Sequence, residues 1–163
     1  MEPNDEALKS TILVVDDESG IRDVVRKMLT AAHYNVLTAD AGSEGLQVSK
    51  NFKGEIRVLV SDFQMSGMSG IELASAITED RPKIKVLLIS GFPKGMLVLN
   101  DGWHFLAKPF VASQLSALIE TLANPDKKSR FAEDLKHAEI GDVKPPRLSS
   151  EIFRYMASQE SKT

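Results

Sequence analysis

Apolar positions along the chain follow two alternating periods. Short apolar runs rich in β-branched residues occupy Thr11–Val15, Val36–Ala39, Ile56–Val60 and Ile84–Ile89, and a shorter one, His104–Leu106, precedes Lys108-Pro109. Such runs, with little polar alternation, fit strands buried on both faces, the mark of a parallel sheet. Between them the spacing turns helical. Ile21, Val24, Val25, Met28 and Leu29 form one stripe, and Leu115, Leu118, Ile119 and Leu122 form another. Ser69 and Glu72 make an S-x-x-E capping box ahead of Ile71, Leu73, Ala74 and Ile77. A weaker helix is expected near Ser43, and a short one between Lys94 and Asp101.

Five strands alternating with five helices predict an α/β fold of right-handed βαβ units around a five-stranded parallel sheet. In such sheets the working crevice lies at the carboxyl ends of the strands. Asp16 and Asp17 follow the first run, Asp62 the third, Ser90 the fourth and Lys108 the fifth. Loops remote in sequence should therefore meet at one place.

The domain is expected to span 11–123, behind a polar N-terminal tail of residues 1–10. Asn124-Pro125 is a helix-stop signal and opens a C-terminal extension, 124–163. Within it, 128–139 and Leu148 to Met156 read as weak helices separated by a linker from Gly141 to Pro146. The extension suits a docking or homodimerising helix, or a mobile tail.

Composition narrows the class. The 163 residues are 42% apolar and 26% charged, as in a soluble globular protein. With no cysteine there are no disulfides and no thiolate metal sites. No apolar run approaches the roughly 18 residues of a membrane span, and the acidic start does not resemble a signal peptide. A cytoplasmic location is the expectation. Residues 126–163 carry eight Lys/Arg against seven Asp/Glu, and residues 1–125 carry twelve against sixteen. Neither part has the concentrated basic charge of a nucleic-acid reader, so DNA binding is not expected.

The candidate chemistry follows from the residues gathered at the strand ends. Three carboxylates in one crevice repel and raise one another's pKa values. A hard divalent cation such as Mg²⁺ resolves that conflict and screens an incoming phosphoryl group. Asp62 can then act as a nucleophile that forms an acyl phosphate. Lys108 offers an ammonium and Ser90 a hydroxyl to the phosphoryl oxygens. His33, His104 and His137 lack metal-ligand spacing and read as structural or surface residues.

Leu13-Val-Val-Asp-Asp17, Val60-Ser-Asp62-Phe-Gln-Met65, Ile89-Ser90-Gly91 and Phe105-Leu-Ala-Lys108-Pro109-Phe110 resemble the receiver domains of two-component response regulators. The resemblance covers roughly 11–123 and implies a flavodoxin-like, doubly wound (βα)5 fold with strand order 2-1-3-4-5. It implies Asp62 as phosphoacceptor, Asp17 as a direct Mg²⁺ ligand, Asp16 as a ligand through water, and the Gln64 backbone carbonyl as a further ligand. Ser90 and Lys108 would contact the phosphoryl group, Phe105 would be a switch aromatic moving with Ser90, and Lys108-Pro109 would be cis. The stretches Ser90-Gly-Phe-Pro-Lys and His104-Phe-Leu-Ala-Lys-Pro-Phe also resemble receivers of hybrid sensor kinases. Two departures stand out. Ser66 replaces a frequent Pro, and apolar Phe92, with Gln64, falls where water attack on a phosphoaspartate is influenced.

The implied function is a receiver that takes a phosphoryl group from a sensor histidine kinase or histidine phosphotransfer protein and signals to a protein output partner. It is not expected to turn over a free substrate. The alternatives are a phosphorelay or phosphate-sink receiver and a phosphorylation-independent scaffold. A metal-dependent phosphohydrolase is disfavoured by the small size and missing cap. Each motif alone has a plain explanation, Asp62 as a turn former or Ser90-Gly91 as a turn. Their joint placement at successive strand ends does not.

Overall fold

The computed structural model describes residues 9–91 and 103–124. The strands are β1 (Lys9–Val15), β2 (Tyr34–Ala39), β3 (Ile56–Asp62), β4 (Lys85–Ser90) and β5 (Trp103–Ala107), and the helices are α1 (Ser19–Ala31), α2 (Gly42–Asn51), α3 (Gly70–Asp80) and α4 (Ala112–Ala123). All neighbouring strands run parallel, in the order β2-β1-β3-β4-β5. The helix expected between Lys94 and Asp101, and the two in the extension, lie outside the described residues.

The apolar runs are explained by two cores. Along β1, Ile12 and Val14 point to one side with Val25, Leu29, Leu115, Ile119 and Leu122 from α1 and α4. Leu13 and Val15 point to the other, with Leu73, Ala74 and Ile77 from α3. Both faces are covered, so polar alternation has no place in the central strands. Truncating a fully buried Leu115 or Leu73 to Ala is expected to cost roughly 2–5 kcal/mol.

Two details differ from the sequence expectations, and a third explains one of them. β1 begins at Lys9, because Lys9 pairs with Tyr34 across an irregularity in the ladder. Val24 is 56% exposed, leaving Val25 and Leu29 as the buried line of α1. The apolar signal of α2 is weak because its buried face is Gly42, Gly45 and Ser49. A Cβ on Gly45 would come within 2.8 Å of the Val15 side chain, so small size is what lets α2 approach the sheet.

Helix termini are secured in different ways. At α3 the Glu72 N–H donates to Ser69 Oγ and the Ser69 N–H to Glu72 Oε2, completing the expected capping box. The end of α2 is held by Arg81, whose guanidinium donates to the carbonyls of Ser49, Phe52 and Gly54 and to Ser49 Oγ. Carbonyls that a helix end leaves open are thereby satisfied from α3's C-cap. Among the described residues no helix is long and apolar enough to cross a membrane.

Candidate functional site

Parallel pairing brings the ends of β1, β3, β4 and β5 to one edge of the sheet. Asp62 closes β3 and Ser90 closes β4, while Asp16 and Lys108 each follow their strands by one residue. The ladder continues past two of these ends. The Phe63 N–H donates to Ile89 O at 2.8 Å, and the Lys108 N–H to Ser90 O at 2.7 Å. These bonds fix the backbone beneath Asp62 and Lys108.

The side chains expected from sequence converge. Carboxylate oxygens of Asp16, Asp17 and Asp62 lie within 4.8 Å of one another, a grouping able to hold a metal ion. Asp16 is 3% exposed and Asp62 7%, whereas Asp17 is exposed. Lys108 Nζ stands 3.6 Å from Asp62 Oδ1, 3.7 Å from Glu18 Oε1 and 3.9 Å from Asp16 Oδ2. The Glu18 N–H donates to Asp16 Oδ1 at 2.8 Å, and Arg22 Nη1 donates to the Asp16 carbonyl at 2.7 Å. Asp17, Glu18, Asp62, Gln64, Ser90, Gly91 and Lys108 line a cleft of about 470 Å³.

Burial leaves these carboxylates under stress. Asp62 is pushed up to about 6, first by burial and then by the Asp16 charge, with Lys108 and the Gln64 backbone N–H acting against the rise. Burial also raises Asp16, opposed by the Glu18 N–H and Lys108. Buried oxygens crowded onto a single ammonium suit a hard divalent cation with carboxylate and water ligands. The residues therefore fit a metal such as Mg²⁺.

Residues 12–120 match the response regulator receiver domain family. The chain belongs to that family. This receiver domain is 30% identical over 117 residues to the sensor kinase CckA of Brucella abortus, covering 69% of this chain and 12% of CckA. Among solved structures, a response regulator receiver domain from Clostridium thermocellum superposes with a TM-score of 0.66 at 30% identity, over 72% of this chain and 97% of that one. A chain of the CheX–CheY–BeF3–Mg²⁺ complex from Borrelia burgdorferi matches with a TM-score of 0.64 at 27% identity, over 69% and 87% of the two chains. The strand order agrees with the receiver fold of these neighbours.

The remaining expected site residues fall as follows. The Lys108-Pro109 peptide is cis. Gln64 sits on the cleft wall, with its N–H directed at the Asp62 carboxylate. Ser90 is 2% exposed and lines the cleft. Phe105 is half-buried on β5, paired with Leu88, and is not among the residues lining the cleft. Phe92 and His137 lie outside the described residues. The receiver site also contains Glu18 and Arg22, which sequence reasoning passed over. For Glu18 a signal existed: it is a long acid where a short capping residue would serve α1 better. For Arg22 nothing in the spacing distinguished it from any exposed helical arginine.

Proposed function

We propose that this receiver domain accepts a phosphoryl group on Asp62 from a phosphohistidine of a sensor kinase or histidine phosphotransfer protein, and signals by conformational switching. The observation that carries this reading is Lys108 Nζ 3.6 Å from Asp62 Oδ1, beside three carboxylates grouped within 4.8 Å. A carboxylate oxygen of Asp62 attacks phosphorus, the P–O bond forms as the P–N bond of the donor breaks, and the imidazole leaves, its nitrogen proton supplied by solvent. Asp16, Asp17 and Asp62, with the Gln64 carbonyl, would hold Mg²⁺. When bound, that ion supplies charge neutralisation for the transferring group. Lys108 pairs with one phosphoryl oxygen and Ser90 donates its hydroxyl to another. The BeF3 and Mg²⁺ named in the CheX–CheY complex accord with such a site.

The reaction modifies the domain itself, and no free substrate is turned over. Likeness to the sensor kinase CckA, of which this chain spans 12%, favours a phosphorelay reading as second choice, in which Asp62 hands the group to another histidine. The test is intact mass after incubation with acetyl phosphate and Mg²⁺. A labile gain of about 80 Da, absent from Asp62→Asn and from EDTA controls, supports the acyl phosphate. No gain even with a phosphorylated histidine donor, together with no Mg²⁺ binding, leaves a protein-binding scaffold.

A further inference from the structure

Helix α1 starts from a poor cap. Its N-cap is Glu18, whose side chain makes no capping hydrogen bond, and the first turn holds no other acid. Short residues such as Ser, Asp or Asn fill this position well because their oxygens reach the first free N–H groups. The same chain uses Ser69 in that way at α3. Glu18 instead extends its carboxylate to within 3.7 Å of Lys108 Nζ. Its backbone is tied to the site as well, through the 2.8 Å bond to Asp16 Oδ1.

The ammonium of Lys108 is shared rather than seated. Its distances of 3.6, 3.7 and 3.9 Å to Asp62, Glu18 and Asp16 all exceed a direct N–H···O bond. Asp62 and Asp16 belong to the carboxylate group that fits a metal, whereas Glu18 does not. A divalent cation there would neutralise both aspartates. Glu18 would then be the remaining carboxylate, among the described residues, in reach of Lys108. Its side chain is 65% exposed, so the pair adds little stability but still biases where the ammonium rests.

We infer that Glu18 is the resting counter-ion of Lys108, a positioning residue that holds the ammonium at the rim of the metal-loaded site and competes with the phosphoryl oxygen for it. The inference rests on the phosphoacceptor reading of Asp62. An interaction present before phosphorylation and surrendered after it favours the unphosphorylated state by its own strength. Glu18 thereby sets how readily the site closes around a phosphoryl group.

The test is calorimetric titration of the Mg²⁺-saturated protein with the beryllium trifluoride anion, a phosphoryl mimic, for wild type, Glu18→Gln and Glu18→Asp. Glu18→Gln removes the charge at constant size. Glu18→Asp keeps the charge but shortens the reach, and it also provides a better cap for α1. Both variants are expected to bind the anion about two- to fivefold more tightly than wild type. Mg²⁺ affinity should stay unchanged in both, and Glu18→Asp should melt higher. Tighter binding in Glu18→Gln alone would show a diffuse charge effect and overturn the inference. Unchanged or weaker binding in both would overturn it too, with Glu18 then a helix residue or a support for the anion. Failure of wild type itself to bind the anion strikes at the phosphoacceptor reading, a separate and distinguishable outcome.

Discussion

Gly70 meets the carbonyl group of Asp62 so closely that a side chain at position 70 would collide with it. The Gly70 N–H also donates to the Phe63 carbonyl at 3.0 Å. The first residue of α3 is thus seated directly on the residue that would carry the phosphoryl group. A Cβ on Gly42 would likewise strike Met68, at 2.8 Å from its carbonyl oxygen, so the loop between β3 and α3 is pressed from two sides. Gly70→Ala is expected to destabilise the fold by roughly 1–3 kcal/mol and to slow phosphorylation by displacing Asp62. Gly20→Ala is the contrast: nothing lies within 4 Å of its Cβ, and it should gain roughly 0.5 kcal/mol as a helical Ala. Melting curves paired with phosphorylation time courses check both.

Without metal, the contribution of Asp62 to stability should fall as pH rises through the acid range. Asp62 titrates near 6 in the folded chain against 3.8 as its ordinary value, so the folded state holds more protons between those values. The contribution of Asp62 is fully present below about pH 4, declines toward pH 6 and is lost above it. The loss is on the order of 2–3 kcal/mol. Asp16, also raised, adds in the same direction. In EDTA, Asp62→Asn should therefore melt higher than wild type at pH 7, and the two should converge near pH 4. Equal melting temperatures at pH 7 would contradict the strain assigned to Asp62.

Metal should reverse that penalty. Adding Mg²⁺ at one hundred times its dissociation constant is expected to stabilise wild type by about 2.7 kcal/mol at neutral pH. Asp17→Asn should weaken Mg²⁺ binding at least about tenfold while barely changing the metal-free melting temperature, because Asp17 is exposed. Isothermal titration with Mg²⁺ gives the answer directly.

The strands and the site were legible in the sequence for one shared reason. A parallel sheet covered on both faces leaves an apolar run at each strand, and the polar residue that ends each run marks the rim. Asp16, Asp62, Ser90 and Lys108 could be placed by that logic alone. The contacts that position them were not. Gly42 and Gly70 matter through empty space, which carries no hydrophobic signal. Arg81 reaches residues 27 to 32 positions away, a separation that local patterns do not register. Val24 sat at the margin of its apolar stripe, where spacing does not separate a core position from a surface one.

Arg81 supports stability rather than chemistry. Its guanidinium donates to three carbonyls and to one hydroxyl at 2.8–3.1 Å, an arrangement that a lysine ammonium cannot reproduce. Arg81→Ala is expected to cost roughly 2–3 kcal/mol. Arg81→Lys should recover only part of that loss. Neither should alter the Mg²⁺-dependent phosphorylation of Asp62 in conditions where the fold is fully populated. Urea melts alongside mass measurements separate the two effects.

β3 is hydrogen-bonded to β1 on one side and β4 on the other, whereas among the described residues β5 has a sheet neighbour only in β4. Asp62 therefore ends a strand braced on both sides, and Lys108 follows one braced, among the described residues, on a single side. If the proposed phosphoryl group were placed between the carboxylate and the ammonium, the two would not yield equally. The carboxylate would behave as an anvil, and displacement would accumulate on the side of β5. On the proposed reading, a message written at Asp62 would leave by the edge of the sheet, where pairing braces the strand on one side among the described residues.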